Sequence, residues 1–272
     1  MNNGMAFTES YYGIRNQVSD KKVEKKVNKV NLVKILVVAL GILIIAEILI
    51  YTILMPCLAP VKVTYSGLET FSAQQISNYL GINPKSTWIQ FDSAKAATKL
   101  AGNAVIENVV IEKRFPDQVF VNIVERKAAA VSLVNINGKT VPIQIDKNGV
   151  IFAVDRGMPN ASVPLITGFS FESISEGMRL NGKLRPLMEQ IAEIQSTNPE
   201  YFSVLSEIRV VPKDYGSYEL ELYPVHSRIK VITDRTLNLE TLQYMMVVLD
   251  VFNSMQTNVT ELYLRYGSIY YK

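Results

Sequence analysis

Few residues in this chain could do covalent chemistry. His226 is the sole histidine and Cys57 the sole cysteine, and no G-x-S-x-G elbow, H-E-x-x-H helix or Gly-rich phosphate loop occurs. His226 follows Pro224-Val225 at a strand start and reads as a surface histidine. Asp146-Lys147-Asn148-Gly149 opens like a calcium loop, but the alternating acidic series stops there, so a hairpin turn explains it. No catalytic residue, metal-ligand set or cofactor site is expected. Two other features could act by binding. Glu47 places a carboxyl inside a long apolar run, where it either bonds a partner helix or is tolerated by protonating or snorkelling. Near the C-terminus, Leu262, Leu264 and Tyr266 alternate with Glu261, Tyr263 and Arg265, giving one apolar face and one amphipathic face. Aromatics and Arg are typical interface anchors, and a terminal strand offers unpaired N–H and C=O groups. Either this stretch, read as one strand from Glu261 to Tyr271, is a docking edge or its tyrosines merely cover a sheet.

The element that positions everything else is the run from Ile35 to Met55, ILVVALGILIIAEILIYTILM. As a helix it reaches roughly 31 Å, the thickness of a bilayer's hydrocarbon core. Its Leu, Ile and Val residues together favour insertion by roughly 4–8 kcal/mol, which outweighs about 3 kcal/mol for Glu47. Arg15, Lys21, Lys22, Lys25, Lys26, Lys29 and Lys34 precede it, against Glu9, Asp20 and Glu24. Only Lys62 stands in the following twenty residues. Basic flanks stay cytoplasmic, so the expected topology is a cytoplasmic tail (1–34), one uncleaved span (35–55) and an extracytoplasmic remainder. The run is too long for a signal-peptide core, and Pro56-Cys57-Leu58-Ala59-Pro60 is a poor cleavage site.

Composition narrows the remainder. The whole chain carries +3, and the tail alone +4, leaving −1 beyond it. A near-neutral extracytoplasmic portion is no nucleic-acid binder, and a single cysteine gives no internal disulfide. Stability must come from packing.

After the span, Pro56 and Pro60 bracket a short stiff link into a strand at Val61–Tyr65 that stops at Ser66-Gly67. Ser72 with Gln75 forms a capping box for a helix running to Leu80, with Phe71 as its staple and Gly81 after its end. Asp92 caps a second helix through Leu100, ended by Gly102. Strands at Val105–Arg114 and Gln118–Glu125 follow, joined at Phe115-Pro116-Asp117. Trp88, the sole tryptophan, sits between the helices as a core residue. The order is β-α-α-β-β over residues 58–127.

This order resembles the POTRA domain of the FtsQ/DivIB family of bacterial cell-division proteins. The resemblance rests on V-x-V-x-Y-S-G at Val61–Gly67, F-S-x-x-Q-I at Phe71–Ile76 and Leu80-Gly81-Ile82. It continues in V-x-I-E-K-R-F-P-D at Val109–Asp117 and V-x-I-V-E-R at Val121–Arg126; Ala128 stands where the family often has Pro. Residues 128–272 read as a mixed β domain with two helices. Asn137-Gly138 and Asn148-Gly149 are type I′ hairpin signals within a meander of Ala129–Asn135, Lys139–Ile145 and Val150–Ala153. Val163–Gly168 resembles the family's V-P-x-I-x-G turn. Amphipathic helices are expected at Leu184–Ile194 and Leu239–Phe252, and strands at Leu205–Val211, Ser217–Tyr223 and Ser227–Ile232. The fold class is thus α+β: one transmembrane helix, a POTRA domain and a β domain.

Leu264-Arg265-Tyr266 resembles the I-D-L-R-Y strand that closes the family's β domain, with Tyr263 where Asp is usual. The resemblance implies a non-enzymatic, single-pass scaffold of the inner (cytoplasmic) membrane at the division septum. Its partners would be FtsB/DivIC-like and FtsL-like proteins that control septal wall synthesis, with no small-molecule substrate. It implies docking by β-augmentation at the last strand, assigning Tyr263, Arg265, Tyr266, Gly267, Ser268, Ile269 and Tyr270 to the partner site. The alternative is a POTRA-bearing anchor of another envelope machine, for translocation or secretion.

Overall fold

The computed structural model describes residues 29–159, 162–171, 173–255, 258–265 and 268–272; the basic tail up to residue 28 lies outside them. The chain divides into two units, residues 1–54 and 55–272. In the first, helix α1 (Lys29–Leu49) passes into a π-helical stretch, Ile50–Leu54. Helix α2 (Met55–Leu58) opens the second unit, and the apolar run Leu32–Leu58 is long enough to cross a membrane. The helix therefore includes Pro56, where the sequence suggested the start of a short stiff link. Proline lacks the N–H of an i→i−4 bond and crowds the preceding turn, and the turn before it is the wider π form.

The first domain has the predicted β-α-α-β-β order: β1 (Lys62–Ser66), α3 (Ala73–Leu80), α4 (Ser93–Ala101), β2 (Ile106–Arg114) and β3 (Gln118–Glu125). β3 lies central, parallel to β1 and antiparallel to β2. The Ser72 hydroxyl accepts the Gln75 N–H while the Gln75 side chain accepts the Ser72 N–H, and Gly81 closes α3 at φ 75°. Ile76, Leu100, Ile106, Val119, Val121 and Ile123 are buried between helices and sheet. Gly67 must be glycine, because a Cβ there would sit 2.0 Å from the Ile123 carbonyl oxygen, and φ is +76°. The buried Glu125 carboxylate accepts the N–H groups of Glu69, Thr70 and Phe71 and so ties the end of β3 to the loop before α3. Burial alone would raise its pKa; hydrogen bonds from the Thr70 side chain and from these three N–H groups outweigh burial and hold it below the usual carboxylate value.

The second domain begins with an antiparallel meander, β4 (Ala128–Ile136), β5 (Lys139–Asp146) and β6 (Ile151–Val154). Asn137 and Gly138 both have positive φ, as a type I′ turn requires. Asn148-Gly149 differs: only Gly149 is left-handed, because the Asp146 carboxylate accepts the N–H groups of Asn148 (2.9 Å) and Val150 (2.7 Å) and closes the loop itself. A six-stranded sheet follows, in the order β12-β11-β10-β9-β8-β7. Its strands are β7 (Ile166–Thr167), β8 (Leu205–Pro212), β9 (Tyr218–Pro224), β10 (Lys230–Thr233), β11 (Glu261–Arg265) and β12 (Ser268–Tyr271). The V-P-x-I-x-G stretch therefore holds a short strand pairing in parallel with β8. Gly168 passes so near β8 that a Cβ would lie 1.9 Å from the Val210 oxygen. Helices α5 (Arg185–Thr197) and α6 (Leu239–Ser254) contribute Leu187, Met188, Ile191, Leu242 and Met245 to one core with Ile208, Leu222, Val231, Leu262 and Leu264.

The two domains meet at a buried ion pair. Arg126, directly after β3, donates to Asp146, with side-chain exposures of 14% and 2%. The Arg126 Nε–H also donates to the Ala104 carbonyl (3.0 Å). Glu107 accepts from Lys147 (3.1 Å) and from the Asn148 side chain (3.2 Å). Val105, Phe152 and Ala153 form a small apolar cluster alongside. Removing one partner of such a pair strands a buried charge at a cost of about 3–5 kcal/mol, whereas an exposed pair contributes at most about 1 kcal/mol. Asp146→Ala should therefore lower the urea-unfolding free energy of the full chain in detergent by about 3–5 kcal/mol. Glu112→Ala, which breaks the exposed Arg114 pair, should change it by about 1 kcal/mol or less. Equal effects of the two substitutions would deny the pair its joining role.

Candidate docking edge

The stretch read as one terminal strand is a hairpin. β11 pairs with β12 from Leu262 opposite Tyr271 to Arg265 opposite Ser268, leaving Tyr266 and Gly267 between paired positions. Both lie outside the described residues. Eleven residues are long for a strand, whose usual length is about 5–6, and the Tyr-Gly pair at its middle is the signal that could have revealed the reversal. The sheet edge is consequently β12, and β11 is an inner strand, parallel to β10 on its other side.

Register assigns each predicted residue a face. Ile269 and Tyr271 stand opposite Leu264 and Leu262, both buried, and so share the helix side of the sheet. The Tyr271 ring lies 5.4 Å from Phe252 of α6. Ser268 and Tyr270 share the other side with Arg265 and Tyr263. The Lys272 N–H donates to the Glu261 carbonyl and the Glu261 N–H to that of Lys272. Bonded and non-bonded pairs alternate along an antiparallel ladder, so Tyr270 and Ser268 bond inward to β11. Ile269 and Tyr271 turn their N–H and C=O groups outward. Every described residue of β12 is exposed.

Tyr263 and Arg265 belong to a polar ladder instead. Lys230 bridges Glu221 (3.0 Å) and Glu261 (3.2 Å), the Tyr223 hydroxyl donates to Glu221 and the Tyr263 hydroxyl donates to Glu261 (2.6 Å). Arg265 pairs with Glu219, which also holds Lys213, and its guanidinium lies 5.3 Å from the Tyr263 ring centre. The Arg265 Nε is buried without an acceptor among the described residues. The bond to Glu221 raises the Lys230 pKa against the opposing effect of burial. Burial pushes Glu221 up, but the Lys230 and Tyr223 hydrogen bonds prevail and hold it below the usual carboxylate value. Tyr263 and Lys230 likewise lower Glu261, while donation to that carboxylate raises Tyr263. The ladder fastens β9, β10 and β11 together and leaves β12 as the open strand. It joins residues forty positions apart and had no signature in local pattern.

Beside β12 on the helix side, a groove of about 620 Å³ is lined by Tyr244 and Val247 of α6 together with Leu264 and Ser268. Of the remaining predicted positions, Glu47 lies exposed in α1 and His226 is exposed at the surface. Trp88 is half-buried at the margin of the first core rather than inside it.

Among the described residues, one apolar helix long enough to cross a membrane precedes a β-α-α-β-β domain and a larger sheet domain, the arrangement of a membrane-anchored POTRA protein. Residues 60–126 match the POTRA domain of FtsQ type. The chain is 24% identical over 210 residues to the cell division protein DivIB of Bacillus cytotoxicus, covering 77% of this chain and 76% of that one. It is 24% identical over 210 residues to the DivIB of Bacillus anthracis (77% and 73%). It is 26% identical over 162 residues to the cell division protein FtsQ of an Anaeromyxobacter species (57% and 51%). The matched domain of FtsQ type and the relatives named DivIB and FtsQ support the FtsQ/DivIB family for this chain.

The ladder carries a pH dependence of definite sign. Lowered carboxylates stabilise in full above their ordinary range, and that contribution fades as pH falls through it; the raised lysine contributes fully below its ordinary value and fades only at strongly basic pH. Lys230→Met should therefore lower the melting temperature of the full chain at about pH 7, with the difference from the unsubstituted chain narrowing toward about pH 3. A difference independent of pH would exclude the ladder as its source.

Proposed function

We propose that this chain is a non-enzymatic, single-pass scaffold for cell division whose β12 edge receives a strand from an FtsB/DivIC-like partner, with an FtsL-like protein in the same assembly. The basic tail lies in the cytoplasm, the two domains lie outside the membrane, and the complex works at the septum to control wall synthesis. The division role is supported by the relatives' names. The observation that carries the docking assignment is β12 itself, an exposed edge strand with outward-facing groups at Ile269 and Tyr271. β-Augmentation draws its affinity from main-chain bonds and its specificity from alternate side chains. The partner site accordingly comprises Ser268, Ile269 and Tyr270, flanked by Tyr263 and Arg265, and Tyr266 and Gly267, outside the described residues, are assigned to it as well. Glu47 is proposed as a contact for a partner's membrane helix.

The register distinguishes two proline substitutions. Ile269→Pro removes an outward N–H and should weaken binding of the partner's extracytoplasmic segment to the full chain by tenfold or more, about 1.4 kcal/mol, while the melting temperature holds. Ser268→Pro removes an inward bond to Arg265 and should lower the melting temperature of the second domain as well. Unchanged affinity for Ile269→Pro in a chain that melts normally would refute docking at β12.

A further inference from the structure

We propose that the end of the POTRA domain through which the chain enters from the span docks on an anionic lipid surface. The span ends at Leu58 and β1 begins at Lys62, and four residues reach no more than roughly 14 Å. This end of the domain is therefore held beside the bilayer whatever the angle of the anchor. Lys62 pairs with Gln118, and Gln118 with Arg114, so the three form one row across the end of the sheet. The loop between α3 and α4 is fastened to the same row. The Val61 N–H donates to Ser86 (2.9 Å), Pro60 bridges to Thr87, and the Trp88 indole N–H donates to the Gln118 carbonyl (3.1 Å).

What this end presents is apolar and cationic together. The Phe115 ring stands edge-on to Trp88 with centroids 6.1 Å apart and is 56% exposed, and Ile89, next to Trp88, is 53% exposed. Lys113 lies 4.3 Å over the Trp88 ring and donates to the Phe91 carbonyl. Of the carboxylates nearby, Asp117 holds Lys62 (2.6 Å) and Glu112 holds Arg114 (3.1 Å), while Asp92 caps α4 by accepting the Lys95 N–H. Lys85 and Lys113 have no carboxylate partner among the described residues. Amphipathic rings settle at headgroup level. Lys and Arg lay their methylene stems on apolar surface and offer the charge to anionic headgroups. Such an exposed mixed patch, tethered beside the bilayer, fits a lipid surface better than a peptide.

Trp88 is the only tryptophan, so its fluorescence in the full chain reports this site alone. The chain is reconstituted into phosphatidylglycerol or phosphatidylcholine vesicles carrying bromines near the headgroup end of the acyl chains. Docking predicts strong quenching in phosphatidylglycerol, relieved by high salt in the unsubstituted chain. Each basic residue near an anionic surface contributes about fivefold, so Lys85→Glu with Arg114→Glu should cut the docked-to-undocked ratio by about 25-fold or more. Phe115→Ser should weaken quenching in both lipids. The proposal is overturned if Trp88 is not quenched, as expected if the patch faces a protein instead. It is equally overturned if quenching is the same in both lipids and unmoved by salt or the charge reversals, which would mark proximity imposed by the tether alone.

Discussion

The ion pair of Arg126 with Asp146 is the constraint on which the arrangement of the two folded domains depends. It stands where the chain leaves the POTRA sheet and enters the second domain, and both side chains are almost wholly withdrawn from water. Neither residue can be spared without stranding the other's charge, so the two domains are joined by a contact with a definite geometry rather than by a slack linker. The same Asp146 carboxylate closes the β5–β6 turn, which couples the junction to the local fold of the meander. Glu125, one residue earlier, ties the sheet back to the loop before α3. Two consecutive charged residues thus secure the domain internally and then to its neighbour.

On the proposed reading, that junction bears on function because the docking edge is β12, the outermost strand of the second domain's larger sheet. A scaffold acts by holding docking edges in place, and here the sheet runs from β7, beside β8, across to β12. The Glu221–Lys230–Glu261 ladder stiffens the strands just inside the edge, on the face away from the helices. The open strand is therefore presented by a rigid inner sheet, which lowers the ordering cost of adding another strand.

Much of this was legible in the sequence for local reasons. The Ser72–Gln75 capping box, the Asp92 cap and the alternation of Val119, Val121 and Ile123 each act over a few residues, and each formed as read. Gly67 and Gly168, noticed as parts of motifs, prove to be places where backbone passes too close for any side chain. What escaped was long-range or conditional. Arg126 and Asp146 are twenty residues apart, and the ladder joins Glu221 to Glu261; no periodicity encodes either. The terminal hairpin was missed because the residues on both sides of the Tyr-Gly pair are apolar and aromatic, and the change of the helix-side positions from even (Leu262, Leu264) to odd (Ile269, Tyr271) is only a one-residue shift in that pattern. The Asn148-Gly149 turn departed from its type because a neighbouring carboxylate supplied the hydrogen bonds.

The central claim, a division scaffold that receives its partner on β12, is tested most directly by amide hydrogen exchange on the full membrane-reconstituted chain, with and without the extracytoplasmic segment of an FtsB/DivIC-like protein. Outward N–H groups at Ile269 and Tyr271 exchange freely in the isolated chain and should become strongly protected in the complex. The amides of Ser268 and Tyr270, already bonded to β11, should change less. Protection confined to other surfaces, with Ile269 and Tyr271 exchanging as fast as before, would contradict the account.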